Sequence, residues 1–280
     1  MATDRFLTPA GGARRLAVRV WGPAGGVPVL ALHGWLDNAA SFDRLAPRLP
    51  RCRLVALDFA GHGHSDHRPP GDHYAFADHV FDALAAADAL GWDRFALLGH
   101  SLGAAVGCCL AAGAPERIRR LALIDGLGPL SESPDHVPLR LARALAEARR
   151  PPGSPSIYPD LEAAAEARQR ATGLALEAAR VLVERGTRAV AGGRVWRSDP
   201  RLRRASPWYT TEEQVRALLR AIPAPVLLIR ARDGLLIRRP SLAGRLDEVE
   251  NLTVVELAGG HHLHLEDPEP VASVLAPFLV

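Results

Sequence analysis

The chain predicts an α/β protein, a mostly parallel doubly wound sheet that carries an inserted helical segment. Three observations predict it. Short β-rich runs alternate with helical patterns along most of the chain. Most of those runs are continuously apolar instead of alternating, as parallel strands covered on both faces require. The alternation also stops near residue 129 and resumes at Pro225, so the segment between is an insertion.

LAVRVWG (16–22) alternates and fits an antiparallel strand near an edge. PVLALH (28–33), RLVALD (53–58), RFALLG (94–99) and RLALID (120–125) read as buried strands, as do PVLLIR (225–230) and LTVVEL (252–257). Helical patterns lie near 38–48, 76–90, 102–113 and 268–279. Residues 130–220 contain no convincing strand, only helical stretches near 138–149, 160–185 and 211–221. Proline and glycine break them at 149–159 and 191–200. The expected division is a core domain, 1–129 with 221–280, and a helical insertion, 130–220, on the carboxyl edge of the sheet.

Composition narrows the chemistry. The 280 residues suffice for one large domain, and 48% of them are apolar. No apolar run reaches the roughly 18–20 residues that span a membrane. The start, MATDRFLTPAGGARR, lacks the pattern of a signal peptide. Three cysteines, two of them adjacent, fit reduced thiols. The expectation is a soluble cytoplasmic protein. Every cation is arginine and no lysine occurs. That excludes Schiff-base and pyridoxal-phosphate chemistry and the P-loop, all of which need the amine. The arginines are dispersed among acids, so no nucleic-acid footprint is expected.

Gly99-His100-Ser101-Leu102-Gly103 spells G-x-S-x-G directly after a strand and directly before a helix. A serine forced into such a turn presents its Oγ at the sheet edge, and crowding there demands small neighbours. Ser101 is the candidate nucleophile. The helix behind it offers unpaired N–H groups and a positive dipole end. The Leu102 N–H can therefore stabilise an oxyanion. A second donor comes from the loop after PVLALH, where Trp35 of His33-Gly34-Trp35 is the candidate through its backbone.

The general base must reach Ser101 from the same sheet edge. His261, His262 and His264 compete in the loop after the last strand, and His261 comes first after the glycines. The acid that orients it is Asp233, at the end of PVLLIR, or Asp125, at the end of RLALID. Loop placement and the chain order Ser, Asp, His favour Asp233.

Together these segments resemble the α/β-hydrolase superfamily over nearly the whole chain, and within it the serine hydrolase-like proteins. HGWLDNAASFDRLAPRLP (33–50) resembles their oxyanion-loop segment, and LDFAGHGHSDHRP (57–69) a structural D-x-x-G-H-G-x-S turn. GHSLGA (99–104) matches the nucleophile elbow, and GGHHLHLEDPEPVA (259–272) resembles the closing segment G-H-x-x-x-x-E-x-P. Counting back from Pro268 there places the catalytic histidine at His261. The resemblance also implies a helical cap at 130–220. One segment departs: the usual G-x-x-D before the acid reads RARDG, with Ala231 for the glycine and one residue too few. That keeps Asp125 open as the acid. A serine at the elbow speaks against the aspartate-nucleophile dehalogenases and epoxide hydrolases.

The expected reaction is hydrolysis of a small to medium carboxylic ester, thioester or lactone through an acyl-enzyme, with no cofactor and a small-molecule substrate as the partner. Cofactor-free carbon–carbon hydrolases and perhydrolases use the same parts. Trp196, Trp208 and Tyr209 are candidate pocket aromatics. One rival is also spelled out: His62-Gly63-His64-Ser65-Asp66-His67 reads H-x-H-x-D-H, so His62, His64, Asp66 and His67 could hold zinc. A non-catalytic binding protein on the same fold is a third reading.

Overall fold

The computed structural model describes residues 2–10, 14–150, 153, 155–237 and 240–280. The elements in chain order are β1 (Thr3–Leu7), β2 (Leu16–Trp21), β3 (Val27–Leu32), β4 (Cys52–Leu57), α1 (Phe76–Ala89), β5 (Phe95–His100), α2 (Leu102–Gly113) and β6 (Ile118–Ile124). The inserted segment follows as α3 (Val137–Ala148), α4 (Leu161–Thr172), α5 (Leu176–Gly186), β7 (Thr187–Val190), β8 (Gly193–Trp196) and α6 (Glu212–Arg220). The chain closes with β9 (Val226–Ala231), β10 (Leu252–Leu257), α7 (Leu263–Glu266) and α8 (Pro268–Leu279).

Eight strands form one sheet in the order β1-β2-β4-β3-β5-β6-β9-β10. Only the β1–β2 and β2–β4 pairings are antiparallel. Successive side chains point to opposite faces. Leu30 and Leu32 of β3 join the cluster under α1 and α2, whereas Val29 and Ala31 join the cluster under α8. That two-sided burial is why the inner strands are apolar along most of their length. Truncating such a residue, as in Leu97→Ala, costs about 2–5 kcal/mol.

Several expectations change. The edges of the sheet are β1, a largely exposed strand that pairs with β2, and β10, which was expected to be buried but pairs only with β9 and buries none of its residues. Residues 38–48 form two short 3₁₀ turns, Ala39–Phe42 and Ala46–Arg48, not a helix. The stretch 160–185 is two helices, because Asp160 caps α4 at one end and Gly173 ends it in the left-handed conformation. The insertion also holds strands: β7 and β8 make an antiparallel hairpin. Nor does its last helix belong to it by packing. Val215 and Leu219 of α6 lie in the same core as α2. The separately packed body is α4 and α5, which bury Ala164, Ala165, Ala178, Ala179, Leu182 and Val183 against Leu265 of α7. Cys52, Cys108 and Cys109 are free thiols. Among the described residues, no helix is long and apolar enough to cross a membrane.

Candidate active site

Ser101 sits between β5 and α2 at φ +53°, ψ −111°, a backbone conformation that costs a non-glycine residue about 1–3 kcal/mol. The surroundings hold it there. Its N–H donates to Ile124 O on β6 (3.1 Å), and two residues later the Gly103 N–H donates to His33 O (3.1 Å). A Cβ on Gly103 would lie 1.9 Å from Leu32 O, so α2 can approach β3 this closely only with glycine there. The Trp35 and Leu102 N–H groups have no protein acceptor among the described residues. The Trp35 indole is used elsewhere, donating to Leu202 O (3.1 Å).

His261 follows β10. Its Nδ1 lies 2.6 Å from Asp125 Oδ2. Asp125 is fully buried at the end of β6, and the same oxygen accepts the Leu235 N–H (2.6 Å). Burial pushes the Asp125 carboxyl up, but the hydrogen bonds from His261 and Leu235 outweigh it and bring it below its ordinary range. A Cβ on Gly234 would lie 2.4 Å from both Asp125 oxygens, so glycine there lets the chain after β9 fold over the carboxylate.

Asp233, the acid favoured from the sequence, is corrected by this geometry. Its side chain is exposed and takes no hydrogen bond among the described residues, while its N–H donates to Gly259 O (3.0 Å). The reason is strand order. β6 lies between β5 and β9, so the end of β6 is one strand from Ser101 and that of β9 is two. Asp125 satisfies the chain order Ser, Asp, His equally well.

A cleft of about 500 Å³ opens above these residues. Gly34, Trp35, Leu36, Asp37, His100, Ser101, His261 and His262 line it from the sheet edge. Tyr158, Arg168, Trp196, Ser198 and Arg203 line it from the insertion. The hairpin places the aromatics: Tyr158 exchanges backbone hydrogen bonds with Arg194 of β8 (2.9 and 2.7 Å), and its ring meets Trp196 edge-on at 6.2 Å. Trp208 and Tyr209, expected in the pocket, do not line it. The next residue, Thr210, bridges to Ser131 where the insertion leaves the core, and the Tyr209 ring stacks under the Arg140 guanidinium at 3.7 Å.

Sequence reasoning missed the floor of the cleft. His100, the variable residue of G-x-S-x-G, donates from Nε2 to His261 O (2.8 Å), and its ring lies 4.6 Å from the His261 ring. It thus fixes the loop that carries His261. Asp37 accepts from Arg168 and from His262 Nε2 (3.2 Å). Burial pushes Asp37 up, yet His262, Arg168 and His100 hold it well below the usual carboxylate range. Burial also pushes His100 down to about 4. The only trace in the sequence was an aspartate four residues after His33.

Asp37, His100 and His262 are also the one group, among the described residues, whose ligand atoms lie close enough to share a metal ion, within 4.8 Å of one another. The rival zinc set spelled at 62–67 does not assemble. His62 spends both ring nitrogens, accepting from the Leu36 N–H (3.3 Å) and donating to Ala60 O (3.2 Å). Asp66 pairs with Arg15 (3.1 Å), and His67 donates to Arg197 O (2.7 Å). The buried Asp58 of the same turn accepts from the Ala39 and His64 N–H groups and from Arg185.

A sequence model of the alpha/beta hydrolase fold matches residues 27–268. A serine hydrolase-like protein of Danio rerio is 35% identical over 273 residues, 93% of this chain and 84% of its own. Among solved structures, a hypothetical protein of Pseudomonas aeruginosa PAO1 is 45% identical with a TM-score of 0.92, covering 98% of this chain and 97% of that one. A thioesterase domain from a curacin biosynthetic pathway is 25% identical with a TM-score of 0.87, covering 98% of this chain and 99% of that one. These likenesses support hydrolase activity. With its elbow serine, its sheet order and these relatives, the chain belongs to the alpha/beta hydrolase fold family, alongside the serine hydrolase-like proteins.

Proposed function

We propose that the chain is a serine hydrolase of small to medium carboxylic esters, thioesters or lactones, with Ser101 as nucleophile, His261 as base and Asp125 as acid. One observation carries the reading: a strained, cleft-facing serine shares its cleft with a histidine whose far nitrogen is held 2.6 Å from a buried carboxylate. With Nδ1–H given to Asp125, the neutral His261 ring keeps a bare Nε2 for the serine proton.

As Ser101 Oγ bonds to the carbonyl carbon, its proton passes to His261 Nε2. The carbonyl oxygen becomes an oxyanion, which the Trp35 and Leu102 N–H groups stabilise. Removing one such donor costs typically about 10²–10³ in kcat. His261 then protonates the leaving alcohol or thiol, and an acyl-Ser101 ester remains. Water gives a proton to His261, attacks the acyl carbon and releases the acid, restoring Ser101. Asp125 stays ionised throughout and stabilises the transient imidazolium. The likeness to a thioesterase domain supports thioesters among the substrates. The inserted segment acts as a cap, with Tyr158, Trp196 and Arg168 bounding the acyl and leaving groups.

The test is labelling with a fluorophosphonate probe. Wild type should label stoichiometrically and Ser101→Ala not at all. Equal labelling of the two proteins, or none of wild type, would end the proposal.

A further inference from the structure

Charge in the cleft is unbalanced. One carboxylate lines it, Asp37, and that group already holds Arg168 and His262. Two guanidiniums line it, Arg168 and Arg203. Arg168 is mostly spent on Asp37 and on Leu36 O (3.5 Å), although its Nε is buried without a partner. Arg203 pairs with no carboxylate and no carbonyl among the described residues, and it is exposed at the lip.

Its neighbours in the turn are paired instead. In the same short turn, Arg201 forks onto Asp199 (2.6 Å) and onto the Arg68 and Pro69 carbonyls (2.6 and 2.7 Å). Arg204 reaches Arg150 O (3.1 Å). The Trp35 indole ties the nucleophile's side of the cleft to this turn through Leu202 O, which fixes the backbone next to Arg203 at the cleft wall. A neutral acyl chain offers Arg203 nothing that water does not. A carboxylate offers a planar acceptor that matches the guanidinium fork.

We infer that the substrate is an ester or thioester that carries a carboxylate, which Arg203 binds at the lip of the cleft. The inference rests on Ser101 being the nucleophile. It adds a substrate class: the half-esters of dicarboxylic acids, or esters whose leaving group is an acid.

The experiment compares three chromogenic esters of matched length, with rates corrected for uncatalysed hydrolysis. They are 4-nitrophenyl pentanoate, mono-4-nitrophenyl glutarate and the pentanoyl ester of 3-hydroxy-4-nitrobenzoate. At least one anionic ester should exceed the neutral ester about tenfold in kcat/KM, a difference that one charge-assisted contact supplies. Arg203→Gln should erase that ratio and leave both neutral-ester turnover and fluorophosphonate labelling unchanged. Arg203→Lys should restore part of it. Which anionic ester responds reports the side of the scissile bond that faces Arg203. Preference of wild type for the neutral ester over both acids would overturn the inference. So would an Arg203→Gln variant that lowers all three rates alike.

If no ester is turned over and no probe labels Ser101, the nucleophile reading fails. The anion site is then read by itself in Ser101→Ala, from tryptophan fluorescence during titration with glutarate. Saturable binding that Arg203→Gln weakens about tenfold keeps the site, and absence of binding removes it.

Discussion

Two histidine-rich regions of this protein use the same residue in opposite ways. In one, His33, His62 and His79 gather around Phe59, with ring centroids 4.9–6.5 Å apart. In the other, His100, His261, His262 and His264 gather at the sheet edge, 4.3–6.2 Å apart. Density does not distinguish them. Carboxylate placement and access do. In the first region the nearby acid, Asp58, is committed to backbone N–H groups and to Arg185, and the rings of His33 and His62 bond to backbone at both nitrogens. In the second, Asp125 stands behind His261, whose side chain remains 28% exposed to the cleft beside Ser101. A histidine becomes a candidate base when one nitrogen is held by a buried carboxylate and the other faces a cavity. A spelled motif does not ensure either condition.

The comparison breaks most severely at Asp125. Asp125→Asn keeps the shape but replaces the acceptor that selects the His261 tautomer. Turnover of a chromogenic ester should fall about 10⁴-fold in kcat. Asp233→Asn should stay within about threefold of wild type, since that side chain meets neither histidine. The opposite ranking in a paired kinetic assay would return the role to Asp233.

The reverse substitution belongs to the structural region. The Arg185–Asp58 pair is buried, with side chains 2% and 0% exposed. Arg185→Leu leaves Asp58 without its cation and should cost about 3–5 kcal/mol of stability, read from denaturant unfolding. The folded fraction should keep its ester turnover, because Asp58 touches neither Ser101 nor His261.

How much of this was legible beforehand follows the same physics. Five strands were readable because burial on two faces makes them mostly apolar, and the edge strand β10 was readable from its valines and leucines although none of its residues is buried. β1 was not, because TDRFL is exposed and its pairing with β2 supplies what its side chains do not. The β7–β8 hairpin is only four residues a side, too short to leave a periodic signal. The placement of Ser101 in a tight turn and of His261 at the same sheet edge was legible because a strand-to-helix turn and a loop after the last strand constrain residue type locally. The partner of His261 was not, because it depends on which strand lies beside β5, and strand order is a long-range property. His100 and Asp37 were hidden for a similar reason: their roles appear only when three loops meet.

Acid titration separates the regions by a smaller effect. Burial lowers His33, lowers His62 well below its ordinary value, and pushes His79 down to about 3. Each takes up its proton at a lower pH in the folded chain than in the unfolded one, which does so near pH 6.5. The unfolded state therefore binds more protons, and stability falls as pH drops from about 6.5 toward 3. His79 contributes up to about 1.4 kcal/mol per pH unit in that window. His79→Leu should reduce the slope of unfolding free energy between pH 6 and pH 4 by about that amount. An unchanged slope would mean that His79 is protonated in the folded protein.

The smallest effect tests whether the spelled metal motif matters at all. His67 gives Nε2–H to Arg197 O and places Nδ1 3.4 Å from Asp199. It fastens the turn after β4 to the insertion at a half-exposed site. His67→Ala should cost about 1 kcal/mol of stability, the worth of one such hydrogen bond, and should leave kcat within twofold. Asp66→Ala should likewise cost no more than its partly exposed pairing with Arg15 supplies. A zinc centre would behave differently, since losing one ligand would abolish turnover and release a metal ion measurable by atomic emission. Small stability losses with intact turnover would identify these residues as fastenings of a structural turn, and the division between the two histidine regions would stand on function as well as on geometry.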